Sequence, residues 1–147
     1  MIRLFIVDDH PVVIEGIHAL LQNEKGFEWA GQAMNAQSCL GFFVNNTADV
    51  ILMDIRMPEI DGINAISIIR KEYEALKIIV LTMYDDQEMI TKMMEMGANA
   101  YLTKTTDPEE IYQAILTCMN DDFYFNELVN KAVLLKLQHK KSVRQFY

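Results

Sequence analysis

Short, wholly apolar runs recur along the chain, and between them lie longer segments whose apolar residues repeat near every 3.6 positions. Leu4 to Val7, Val50 to Met53 and Ile78 to Leu81 are apolar at every position and bounded by polar residues. A strand with one face in water alternates apolar with polar residues. A strand without alternation is buried on both faces, as in a parallel sheet covered by helices. Phe27 to Gly31 and Ala100 to Thr103 are weaker candidates for the same role. The helical patterns fall at Pro11 to Leu21, Ser38 to Asn45, Gly62 to Tyr73, Asp86 to Met96 and Pro108 to Met119. The last is best marked: Ile111, Ala114, Ile115 and Cys118 share a face, Asp107 is placed to cap, and Pro108 suits the first turn. Five strands alternating with five helices specify an α/β fold, a doubly wound parallel sheet with helices on both faces.

The 147 residues suffice for one domain and an appendage. The longest apolar runs cover four residues, where a membrane-spanning helix needs about 20. Leu4 to Val7 passes directly into Asp8 and is too short for a secretory signal, so a cytoplasmic protein is expected, with Cys39 and Cys118 reduced in the core. Charge is uneven. Residues 1 to 127 hold all 21 acids and 8 of the 13 basic residues, a net of −13, whereas the last 20 residues carry five basic residues and no acid. The acidic body argues against this chain itself holding nucleic acid phosphates.

In a doubly wound sheet, chemistry gathers at the carboxyl ends of the strands. The first strand is followed by Asp8 and Asp9, the third by Asp54, the fourth ends in Thr82, and the fifth leads to Lys104 past Tyr101. Three carboxylates brought to one edge repel unless a cation neutralises them. Oxygen ligands suit Mg²⁺ better than Zn²⁺, which favours His and Cys. His10 adjoins the pair as a lone imidazole and reads as a loop or helix-start residue rather than a ligand. A metal, an ammonium and a hydroxyl aimed at Asp54 point to phosphoryl transfer onto that carboxylate. No GxxxxGK[ST] nucleotide loop is present.

Asp8-Asp9, the run Asp54-Ile55-Arg56-Met57-Pro58-Glu59-Ile60-Asp61-Gly62, Thr82, Tyr101 and Lys104 resemble the signature of the receiver domain of bacterial two-component response regulators, across residues 1 to 122. Asp8-Asp9-His10-Pro11 with Glu15-Gly16 is similar to the opening of the NarL/FixJ subfamily, whose members usually carry a LuxR-type helix-turn-helix. The resemblance implies a flavodoxin-like sheet of strand order 2-1-3-4-5. It implies that Asp54 accepts a phosphoryl group from a sensor histidine kinase, without turnover as an enzyme. Mg²⁺ would be held by Asp9, Asp54 and the Arg56 backbone carbonyl, with Asp8 supporting through water. Thr82 and Tyr101 would form the switch pair, the hydroxyl moving to the phosphate and the ring turning inward. Many receivers follow the lysine with a cis proline; here Thr105 follows Lys104, so the peptide is either trans or strained.

Competing readings are concrete. Asp61 before Gly62 caps a helix rather than catalysing. Met89, Met93 and Met96 lie on one helix face as core filler, or as an adaptable surface near the switch. A haloacid-dehalogenase-like phosphohydrolase also uses an aspartyl phosphate, but its second Asp follows two residues on, whereas Asp8 and Asp9 are adjacent. A stand-alone receiver acting by protein binding is a third reading. Residues 123 to 147 read as a linker helix from about Asn126 to Gln138, leading to an absent output domain. On that view DNA is bound only through the output domain, and phosphorylation drives homodimerisation.

Overall fold

The computed structural model describes residues 1–55 and 62–145. Arg56 and Asp61 lie outside them. The strands are β1 (Ile2–Val7), β2 (Phe27–Ala33), β3 (Val50–Met53), β4 (Lys77–Thr82) and β5 (Ala100–Thr103). The helices are α1 (Pro11–Gln22), α2 (Ala36–Asn45), α3 (Gly62–Glu72), α4 (Gln87–Glu95), α5 (Pro108–Asp121) and α6 (Glu127–Gln145). The strands form one parallel sheet in the order β2-β1-β3-β4-β5, as the resemblance implied.

Successive residues of each central strand feed opposite cores, which is why the runs show no polar alternation. Phe5, Val7, Ile51, Met53, Ile78, Val80 and Tyr101 face a cluster completed by α2, α3, α4 and the start of α6. Leu4, Ile6, Val50, Leu52, Ile79, Leu81 and Leu102 face a second cluster covered by α1 and α5. Cys39 and Cys118 are buried and unpaired, one in each cluster. At the edge, β2 shifts register opposite Leu4 and Phe5, and a Cβ on Gly31 would lie 3.0 Å from Phe5 Cε2. Only glycine lets the backbone approach that ring so closely.

β1 starts two residues before Leu4 because Ile2 and Arg3 pair with Phe27 and Glu28 of β2. These positions are only half-buried and so carry no apolar run. Asn35 and Asp86 cap α2 and α4 by accepting from the N–H groups of Ser38 and Met89. The Arg70 guanidinium, near the end of α3, donates to the carbonyls of Tyr73, Glu74 and Gly97 and to Asn99 Oδ1, fastening that helix end to the turn before β5. Gly97 takes φ +114° there, and a Cβ on it would meet Arg70 Cγ at 2.8 Å.

α6 extends well past Gln138. Its first turns bury Val129 and Ala132 in the cluster that holds Ile90 and Met93 of α4. Lys136 pairs with Glu95 of α4. The sequence of the later turns is rich in lysine and has no apolar periodicity to mark a helix. Met93 is fully buried, whereas Met89, Met94 and Met96 pack around the same cluster.

Candidate functional site

Parallel pairing continues one step past the strands and brings their ends to a common edge. Asp8 N donates to Ala33 O at 3.0 Å, Asp54 N to Val7 O at 2.9 Å, and Lys104 N to Thr82 O at 2.8 Å. These backbone bonds fix the Cα positions of Asp8, Asp54 and Lys104, whose side chains converge.

Lys104 Nζ lies 2.8 Å from Asp8 Oδ2 and 2.9 Å from Asp54 Oδ2, with all three side chains at most 6% exposed. Burial opposes the ammonium, but hydrogen bonds to Asp8 and Asp54 and their charges outweigh it and raise the Lys104 pKa above the ordinary lysine value. No peptide among the described residues is cis, so the Lys104–Thr105 bond is trans and the lysine reaches the acids without a cis turn.

His10 stands at the N-cap of α1, the helix start expected of it, and also meets the acids. Its backbone N–H donates to Asp8 Oδ1 at 2.8 Å, and its ring turns back over the acids. Nδ1 lies 3.0 Å from Asp8 Oδ1, 3.1 Å from Asp9 Oδ1 and 3.0 Å from Lys104 Nζ. One ring nitrogen offers one hydrogen or one lone pair, so it does not satisfy all three neighbours. Asp9 Oδ1 is accordingly buried without a hydrogen-bond donor among the described residues. Ligand atoms of Asp8, Asp9, His10 and Asp54 all lie within 4.8 Å of one another. Three carboxylates this close, one with a buried oxygen lacking a donor, suit a hard divalent cation.

Thr82 is fully buried, and its Oγ1 has no hydrogen-bond partner among the described residues. Such a hydroxyl costs about 1–3 kcal/mol, a penalty expected where a ligand or second state supplies the partner. Tyr101 is fully buried, its ring inside the α4-side cluster, and its hydroxyl donates to Tyr84 O at 2.5 Å.

Two contacts were not anticipated from the sequence. One is the turn of His10 toward the acids. The other is Asn126, whose Oδ1 accepts from Val129 N while its Nδ2 donates to Tyr101 O at 2.8 Å. Asn ahead of a helical run signals a cap, but nothing local signals the bond to β5.

Residues 4–116 match the response regulator receiver domain. The chain belongs to the receiver family. This receiver is 35% identical over 133 residues to the transcriptional regulatory protein MctR of Rhizobium johnstonii, covering 90% of the chain and 62% of that protein. It is 31% identical to the response regulator UvrY of Escherichia coli, covering 99% of the chain and 67% of that protein. It therefore spans about two thirds of the length of these curated relatives. A crystal structure of a LuxR-family two-component response regulator from Aurantimonas superposes with a TM-score of 0.84 at 29% identity, covering 92% of this receiver and 97% of that chain. Receivers of response regulators are signalling domains rather than catalysts in the usual sense. No helix among the described residues is long and apolar enough to cross a membrane.

Proposed function

We propose that this receiver is the phosphoacceptor unit of a LuxR-type transcriptional regulator. A sensor histidine kinase phosphorylates Asp54, and the phosphorylated state controls dimerisation and a DNA-binding output domain. The observation that carries the reading is the convergence of Asp8, Asp9, Asp54 and Lys104 at the sheet edge, together with a buried Thr82 hydroxyl that has no partner among the described residues.

Asp54 supplies the nucleophile. A carboxylate oxygen bonds to phosphorus as the P–N bond of the kinase phosphohistidine breaks, and the electron pair leaves on the imidazole, which regains its proton. Lys104 already touches Asp54 Oδ2 and is placed to follow the phosphoryl oxygens as negative charge builds there. Asp9 and Asp54, with the Arg56 carbonyl from outside the described residues, would hold Mg²⁺, and Asp8 would assist through water. When bound, that ion neutralises charge on the transferring phosphoryl group.

Thr82 is the first element of the response, because a phosphoryl oxygen gives its hydroxyl a partner it lacks among the described residues. The movement passes to Tyr101, and Tyr101 O is bonded to Asn126 at the head of α6. Residues 1 to 122 act as the switch, and residues 123 to 147 act as the linker that carries its state, through α6, onward to the output domain. Shifting a two-state population from 1% to 99% needs about 5.5 kcal/mol. A few contacts to a charged phosphoryl group at roughly 1.5–3 kcal/mol each suffice. A cytoplasmic location accords with two buried, unpaired thiols.

The test is incorporation from a small phosphodonor such as acetyl phosphate, read by intact mass. The wild-type chain should gain one phosphoryl group with Mg²⁺, and Asp54→Asn none. Equal labelling of the variant refutes the assignment, and steady turnover of a phosphomonoester would favour a hydrolase.

A further inference from the structure

His10 is not used by the phosphotransfer chemistry, yet its ring is directed at the centre of the site. Three groups surround the Lys104 ammonium: Asp8 Oδ2 at 2.8 Å, Asp54 Oδ2 at 2.9 Å and His10 Nδ1 at 3.0 Å. An ammonium has hydrogens to give and no lone pair, so in the tautomer with its hydrogen on Nε2 the Nδ1 lone pair accepts from Lys104, whereas in the other tautomer Nδ1–H donates to Asp8 Oδ1 at 3.0 Å. In the first of these a lone pair on His10 is directed at a cation shared with two carboxylates.

The same nitrogen is 3.1 Å from Asp9 Oδ1. With its lone pair turned to Lys104, it brings no hydrogen to that buried oxygen. In that tautomer two electron-rich atoms face each other with no hydrogen between them, an arrangement that a shared cation relieves. The His10 side chain is 59% exposed, so packing does not force the ring inward.

We propose that His10 Nδ1 joins the carboxylates as a protein ligand of the divalent cation, tuning the site toward Mn²⁺, Co²⁺ or Ni²⁺ and away from strict Mg²⁺ selectivity. Imidazole nitrogen suits these later ions, whereas Mg²⁺ favours oxygen. The inference rests on the reading that Asp9 and Asp54 hold a divalent ion, and it adds the nitrogen that decides which ion is held best.

All-carboxylate sites also bind Ni²⁺ more tightly than Mg²⁺, so the informative quantity is how each affinity changes when the imidazole is removed. Calorimetric titrations of the full 147-residue chain with MgCl₂ or NiCl₂ alone would compare wild type, His10→Ala and His10→Gln. Loss of partners that merely orient a ligand already costs roughly 10–100-fold in metal affinity, so loss of the ligand itself should weaken Ni²⁺ at least about tenfold. Mg²⁺, which takes oxygen ligands, should change less than about twofold. Pulsed electron paramagnetic resonance of the Mn²⁺-loaded chain should show coupling to a nitrogen nucleus in wild type and lose it in both variants. Mg²⁺ binding without nitrogen coupling, or a parallel fall in both affinities, overturns the role of His10 and leaves the phosphoacceptor reading intact. Mg²⁺ binding that is absent, or unaffected by Asp9→Asn and Asp54→Asn, overturns that reading and this inference together.

Discussion

Replacing Thr82 with valine should make the protein more stable and less responsive. Threonine and valine have nearly the same shape, so the swap keeps the packing at the end of β4 and removes a hydroxyl that is fully buried without a partner among the described residues. An unsatisfied buried hydroxyl costs about 1–3 kcal/mol, and the variant should recover that amount. At roughly 3–4 °C per kcal/mol for a domain of this size, Tm should rise by about 3–12 °C. Thermal unfolding would be followed by calorimetry with and without beryllium fluoride and Mg²⁺, which together mimic the phosphoryl group. Wild type gains the missing hydrogen bond on adding the mimic, whereas the variant has no donor for it. The mimic should therefore stabilise the variant less than wild type by roughly 1.5–3 kcal/mol, the worth of a hydrogen bond to a charged group. A valine variant that melts at or below the wild-type temperature, or takes the full increment from the mimic, would refute the idea that this hydroxyl is held in reserve for the phosphoryl group.

Lys104→Met leaves the Asp8 and Asp54 carboxylates buried without their ammonium. Without divalent ions it should destabilise by about 3–5 kcal/mol, and Mg²⁺ should raise its Tm more than that of wild type; equal Mg²⁺ responses would count against a shared cation site. Asn126→Ala removes both the cap on Val129 N and the bond to Tyr101 O, and should cost about 0.5–2 kcal/mol. Amide hydrogen exchange should then quicken from Val129 to Ala132, and unchanged protection would show that α6 is seated without it. Burial pushes the Cys39 and Cys118 thiols up to about 12, so the unfolded chain releases these protons first as pH rises. The unfolded state then binds fewer protons, and stability should fall as pH climbs through about 9 toward 12. The raised pKa of Lys104 acts with the same sign, because the unfolded lysine loses its proton first. A Tm that holds steady across this alkaline range would contradict both.

The acids were legible because a parallel sheet puts every strand's carboxyl end on one side. Asp8, Asp9, Asp54 and Lys104 then meet once Leu4–Val7, Val50–Met53 and the later runs are read as strands. The ring of His10 was not legible, since its nitrogen meets Lys104, 94 residues away in the chain, as well as the neighbouring Asp8 and Asp9. The bond from Asn126 to β5 was hidden for the same reason: a cap can be read from its own helix, but a cross-chain carbonyl cannot. The far half of α6 left no trace in the pattern because its residues follow no apolar period. β1 was read short because Ile2 and Arg3 pair with an edge strand that is itself half-exposed.

The seating of α6 bears on how such a receiver is exchanged between regulators. The strand-and-helix alternation ends near Asp122, which makes the following loop the obvious place to join one regulator's receiver to another's output domain. A graft cut there would discard Asn126, Val129 and Ala132, strip a covering layer from α4 and leave Tyr101 O without its donor. A seam placed beyond Lys136 keeps the pairing with Glu95 and carries the whole seat across. For this chain the transplantable module ends inside a helix, and chimeras built on the loop boundary would be compromised before any question of partner compatibility arose.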